Sequence, residues 1–311
     1  MNKKMAETGK LVAGLLIIVL LVYFAGIEKI AVSLASFNAI LIIPVFMLFI
    51  LALVFGAVNL KILLDAKLRM GFFEFFPDYC LSWIAGSLIP GKIGDFSLAY
   101  LMKDKTTVGV TTAIIMLDKI ITLFVLTIAG SLSVTFFVGP EYGIYIICLL
   151  LFSWIIGFIL LFSATGRNAI ARIIPKKYSQ EIQDFYFTLR EFIDKEKMRI
   201  SLNLAGTVLK LGTQSFAFML IFLGFGINVK LLDMFLITST ATIFSFVPFT
   251  ASGLGIKEGA FAFLWLQRGI MLEKSLANAA ISTIMNYVLV AILMVLFINR
   301  QKAVAKKIQA V

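Results

Sequence analysis

Residues 39–60 contain no charged side chain at all. A helix rises about 1.5 Å per residue, so an unbroken apolar run of this length crosses the ~30 Å hydrocarbon core of a bilayer. Comparable runs occur at 11–27, 108–138, 142–163, 200–227 and 275–298. Inside a membrane every backbone N–H and C=O must be satisfied within the segment, so runs of this length are helical. Between them lie two regions where the pattern fails. Residues 79–89 are apolar but too short to cross, and PGKIGD and a second short apolar piece, 96–102, follow. Later, apolar arms at 231–247 and 259–266 are joined by PFTASGLGIKE.

Composition closes off the other classes. The chain of 311 residues is 61% hydrophobic and 14% charged, with mean hydropathy +1.02, whereas soluble domains are nearer a quarter charged. No stretch is long enough for a large soluble domain. The net charge of +11 does not point to nucleic acid, because the lysines and arginines gather in short segments between apolar runs and form no basic stripe with interleaved aromatics. With no histidine, Ser-His-Asp and Cys-His catalysis and His-based zinc sites are excluded in cis. Cys80 and Cys148 both lie in apolar surroundings, which suggests neither a disulfide framework nor a metal site. No base is placed to activate a serine or threonine, and no Gly-rich loop ends in Lys-Ser/Thr for nucleotide phosphates. The 30 phenylalanines are expected on lipid-facing surfaces. No cofactor, metal, nucleotide or enzymatic activity is therefore expected; a lipid-linked group transferase is the weaker alternative.

Charge asymmetry sets an expected topology. Lys3, Lys4 and Lys10 before the first run, and Lys61, Lys67 and Arg69 after the second, belong on the cytoplasmic side. Residues 11–27 lack a small-x-small cleavage site and read as a retained first span, with Glu28 outside. Residues 167–199 hold eight basic and five acidic side chains and form the main cytoplasmic segment. Within it Ile182, Phe185, Tyr186, Leu189 and Ile193 recur at helical spacing, opposite Gln183, Asp184, Arg190 and Asp194, giving an amphipathic helix that lies against the bundle or the headgroups. Arg300, Lys302, Lys306 and Lys307 bring the end of the last span inside. The first interrupted region then enters from the cytoplasmic face and the second from the outer face. The expected fold is an all-α membrane protein: about six transmembrane helices plus two oppositely oriented re-entrant helical hairpins forming an inverted repeat. It is a single domain, 1–311, with halves at about 11–163 and 200–298, a connector at about 166–199 and a basic cytoplasmic tail at 299–311. The competing reading of residues 72–102 is a pair of short helices lying along the interface.

The two interruptions are alike. SLIPGKIGDFSLAYL places Pro90, Gly91, Lys92, Gly94 and Asp95 in order; SFVPFTASGLGIKEGAFAFL places Pro248, Gly253, Gly255, Lys257 and Glu258. Proline and glycine free backbone polar groups at a hairpin tip, which a membrane tolerates only when they are buried in protein or line a wet cavity. A charge at the bilayer centre costs about 2.5–3.5 kcal/mol on insertion scales. Lys92, Asp95, Lys257 and Glu258, together with Asp118 and Lys119 inside the 108–138 run, are therefore expected to face inward as substrate-binding or coupling groups. The alternative is that Lys92 with Asp95, and Lys257 with Glu258, merely neutralise one another near the interface. Lys210 is expected to snorkel to the cytoplasmic interface, and Asp233 to lie at the outer rim.

LIPGKIGDFSLAYL resembles the P-G-K/R-x-G-E/D signature of the lysylphosphatidylglycerol synthase transmembrane-region family, flippase-like membrane proteins. Asp118-Lys119 is similar to that family's acidic-basic pair, and Pro248 through Glu258 to its later P-x-x-x-G-G-x-G-x-x-E element. Ser252 and Asn286 depart from the pattern, where glycine and arginine are common. The chain is similar to the membrane half alone, without the aminoacyl-transferase domain. The resemblance implies movement of a lipid between leaflets of the cell membrane, the cargo being a phospholipid, a modified phospholipid or a polyprenyl-phosphate-linked sugar. An ion-coupled transporter or channel for a small solute, and an accessory subunit of a lipid- or glycan-modifying enzyme, are the alternatives. A homo-oligomer or a partner lipid-modifying enzyme is an open expectation.

Overall fold

The computed structural model describes residues 16–163, 175–246, 250 and 253–297, and every regular element among them is helical. Five helices are long and apolar enough to cross a membrane, with a sixth crossing if the first bent pair counts as one. That pair is α1, Leu16–Ala25, and α2, Ile27–Ala35, bent by 80°. α1 lies within the span expected at 11–27, and the bend falls at that span's end, where Gly26 adopts φ 83°, a left-handed conformation that glycine enters without steric cost; Glu28 and Lys29 ride on α2 instead of lying in a loop. The basic residues before position 16 and after position 297 lie outside the described residues.

The spanning helices are α3 (Ile42–Leu64), α6 (Val108–Phe137), α7 (Pro140–Phe162), α9 (Lys197–Gly224) and α12 (Leu272–Leu296). The remainder are α4 (Phe72–Leu88), α5 (Ser97–Leu101), α8 (Ser179–Lys195), α10 (Leu231–Phe246) and α11 (Ile256–Gln267). α9 lies along α3 and α10 along α6, while α12 packs on α2, α4, α9 and α11. α7 touches the bundle through α6 and is otherwise exposed, the expected lot of a peripheral span whose solvent is lipid.

Two layers of apolar packing succeed one another along α3. Its first half contributes Val45, Phe49 and Leu53 to a cluster with Ile221, Phe222, Ile237 and Trp265; its second half contributes Leu60, Leu63 and Leu64 to a cluster with Phe75, Ile114, Leu189 and Phe192. Several phenylalanines expected at the lipid surface are instead core. Phe222 and Phe261 stack at 6.1 Å, and Trp265 meets Phe222 edge-on at 5.0 Å.

α8 is the amphipathic helix expected in the basic segment. Its buried residues are Thr188, Leu189 and Phe192, whereas Ile193 is exposed. Four of the expected inward residues, Ile182, Phe185, Tyr186 and Leu189, are at least partly buried, and Phe192 takes the inward place expected of Ile193; the first turn of the helix seats on α6. There the Gly109 N–H donates to Glu181, and Lys67 pairs with Glu191 farther along.

α4 and α10 are the short arms. At about 1.5 Å per residue they reach about 25 Å, less than the hydrocarbon core. α4 begins well before the predicted residue 79 and carries Pro77 inside. After Leu88 the chain tightens into a 3₁₀ segment, Pro90–Phe96, with Gly91 at φ 70° and Lys92 at φ 60°. This left-handed pair folds the segment back along α4, where the Ser82 hydroxyl donates to the Asp95 carbonyl at 2.5 Å. Gly94 permits the approach, since a Cβ there would overlap the Ala85 carbonyl. The second interruption behaves alike: α10 and α11 pack on each other across a break with Gly253 at φ 79° and Gly255 at φ 84°. Pro248 lies outside the described residues.

Candidate functional site

The two interruptions meet. The 3₁₀ segment after α4 contacts α10, and between them opens a cavity of about 220 Å³ lined by Lys92, Asp95, Lys119, Lys257 and Glu258, with Lys210, Gln214, Ser282, Thr283 and Asn286 among the other walls. Its lining falls near the middle of each long helix that contributes: Ala52 and Leu53 on α3, Lys119 and Thr122 on α6, Lys210 and Leu211 on α9, and Thr283 on α12. A chamber at mid-height of a membrane bundle is where charge costs most, about 2.5–3.5 kcal/mol per group.

In the two interruptions the lysine and the acid do not pair with each other. Lys119 Nζ approaches Asp95 Oδ2 at 2.6 Å and Asp118 Oδ2 at 3.9 Å, so Asp95 ties the first hairpin to α6. Asp118, 6% exposed, does not line the chamber. It stands behind Lys119, where Asn203 Nδ2 donates to Oδ1 at 3.0 Å and Asn59 Nδ2 at 3.4 Å. Asn59 also donates to Thr207 Oγ1 at 2.9 Å, and Asn203 to the Asn59 carbonyl at 3.0 Å. This network clamps α3, α6 and α9 around one buried carboxylate, the arrangement in which a buried polar group is supported rather than stranded.

In the second hairpin Glu258 turns back on its own helix. Oε2 accepts the Gly255 N–H at 2.7 Å and Oε1 accepts the Thr283 hydroxyl at 3.4 Å. A carboxylate at the third helical position that reaches the backbone before the helix satisfies an orphan donor and complements the positive end of the helix dipole. Lys257 lies over the Phe218 ring, 5.9 Å from its centroid. The local pairings of Lys92 with Asp95 and Lys257 with Glu258, open from sequence, are thus not formed.

Lys210 is a correction. Expected at the cytoplasmic interface, it lies instead at mid-helix, facing the chamber, because α9 starts at Lys197. Asp233, by contrast, is held at 2.8 Å by Arg268, whose guanidinium stacks on Phe137 at the end of α6. Asn59, Asn203 and Thr207 are site-supporting residues that the sequence reading passed over. The available signal was a lone asparagine inside each of two apolar runs, an expensive placement unless it bonds across helices. No group of acidic or cysteine side chains among the described residues could hold a metal.

The chain matches the family described as lysylphosphatidylglycerol synthase TM region over residues 11–293. It is 26% identical over 214 residues to the UPF0104 membrane protein MJ1078 of Methanocaldococcus jannaschii, an alignment that covers 65% of this chain and 87% of that one. No solved structure matches.

Proposed function

From the premise that this chain belongs to the lysylphosphatidylglycerol synthase TM region family, we propose that it moves a phosphate-bearing lipid between the leaflets of the cell membrane, with both termini in the cytoplasm. The cargo class is a phospholipid, a modified phospholipid or a polyprenyl-phosphate-linked sugar. The observation that carries the reading is the convergence of two interrupted segments on one charged chamber at mid-height of the bundle. Paired interrupted helices in corresponding halves are the architecture in which transporters place a midplane site, reached from alternate faces. In this reading the 3₁₀ tip carrying Lys92 enters from the cytoplasmic side and the break before Lys257 from the outer side. Lys92, Lys119 and Lys257 engage the phosphate, while Asp95 and Glu258 pair with lysines or take up protons. The acyl or isoprenoid tails stay among the exposed apolar faces of the bundle.

The test is translocation of acyl-labelled lipid in proteoliposomes. Lys92→Ala and Glu258→Ala are each expected to slow flipping roughly tenfold, the loss of one charge-assisted contact. Wild-type rates in both variants would remove these residues from the mechanism. Uptake of a soluble tracer with no lipid movement would favour the small-solute transporter.

A further inference from the structure

The chamber's amines and carboxylates are not satisfied to the same degree. Four lysines, Lys92, Lys119, Lys210 and Lys257, reach it from four separate elements. Among the described residues, Lys119 is the one with a carboxylate in salt-bridge range; Lys92, Lys210 and Lys257 have none. The carboxylates are all engaged: Asp95 by Lys119, Asp118 by Asn59, Asn203 and Lys119, and Glu258 by the Gly255 N–H and the Thr283 hydroxyl. Four ammonium groups against the carboxylates of Asp95 and Glu258 in the lining, with Asp118 behind, leave an excess of positive charge at mid-height of a membrane bundle, where charge is most costly, and that excess suits an anion.

Lys210 is built into that positive lining. Gly56 on α3 leaves the gap through which its alkyl stem passes beside the Tyr79 ring, and a Cβ there would meet both. Lys210 lines the chamber together with Asn286 and Thr283 of α12. Lysine, a compact charge with rotatable donors, suits a phosphate that approaches from variable directions better than a fixed fork does.

We propose that the chamber selects a phosphate group unaccompanied by an amine, and that Lys210 is a specificity-determining residue for it. The inference rests on the translocation reading and deepens it. A zwitterionic or aminoacylated headgroup brings a further ammonium into a space that already carries excess positive charge and whose carboxylates are all hydrogen-bonded or ion-paired, so like-charge repulsion rejects it.

Proteoliposomes of neutral carrier lipid, doped separately with acyl-labelled phosphatidylglycerol, phosphatidylethanolamine and lysyl-phosphatidylglycerol, test this. Wild type is expected to move the anionic lipid roughly tenfold faster than the other two, and Lys210→Gln to shrink that ratio to about threefold or less by slowing the anionic lipid, with Lys210→Arg intermediate. A thermal melt in detergent checks that Lys210→Gln is folded. Equal wild-type rates for the three lipids, or an unchanged ratio in folded Lys210→Gln, would overturn the selectivity. If no lipid moves, the translocation reading fails by itself, and radiolabelled inorganic phosphate decides the rest. Saturable uptake or binding that Lys210→Gln weakens supports the same chemistry for a free anion; no phosphate binding overturns it.

Discussion

The two hairpins spend their carboxylates differently. In the first, Asp95 reaches out of its own turn to Lys119 on α6; in the second, Glu258 folds back onto the amide at the start of α11. One acid is a tertiary tie and the other a local cap, although their sequence settings, proline, glycines, lysine and acid, look like copies. The lysines differ correspondingly. Lys92 is held at the tip by a left-handed backbone, whereas Lys257 sits in the first turn of a helix and rests over Phe218. Similar motifs in two halves therefore guarantee a similar position at the chamber, not a similar bonding role.

The sharpest way to break this comparison is to remove each acid. Asp95→Ala strands Lys119 with Asp118 alone at 3.9 Å and is expected to destabilise the protein by about 3 kcal/mol, the low end of the range for a buried pair because this one keeps partial exposure. Glu258→Ala is expected to cost about 1 kcal/mol, the loss of a cap. Denaturation midpoints in detergent check the ranking, and equal losses would erase the distinction. Next, Gly94→Ala forces a methyl onto the Ala85 carbonyl and is expected to destabilise by about 2 kcal/mol through overpacking. Asn203→Ala removes the closer amide from Asp118 and is expected to cost about 1–2 kcal/mol, with Asp118→Asn adding little on top, since both act on one network. Smallest is Glu258→Gln, which keeps the Gly255 N–H contact through its carbonyl oxygen and turns its NH2 toward the Thr283 hydroxyl, which can accept as well as donate. It is expected to change stability by under about 0.5 kcal/mol while still altering translocation, thereby separating the cap from the charge.

The class and the spans were legible because apolar runs of membrane length admit few alternatives: every predicted crossing has a helix, with ends displaced by a few residues. What the first span's pattern did not show is the helix beyond it: at Gly26 a single left-handed residue bends the chain by 80° into α2, and glycine permits such a bend without announcing it. Of the candidate residues, Lys92, Asp95, Lys119, Lys257 and Glu258 share one chamber, and Asp118 supports it from behind. Lys210 was misread because its depth depends on where α9 begins, and the charged residues at its start belong to the helix rather than to the loop.

What the sequence determined alone was periodicity and cost: which segments must be helical in lipid, where they must break, and which charges are too expensive to leave facing hydrocarbon. Which acid meets which amine was decided by the fold. Asp95 lies nearer in sequence to Lys92 than to Lys119, yet the left-handed turn carries its carboxylate toward α6. Partner choice between charges on separate helices depends on helix rotation and on glycine-permitted approach, and those are properties of packing that no local pattern of residues encodes.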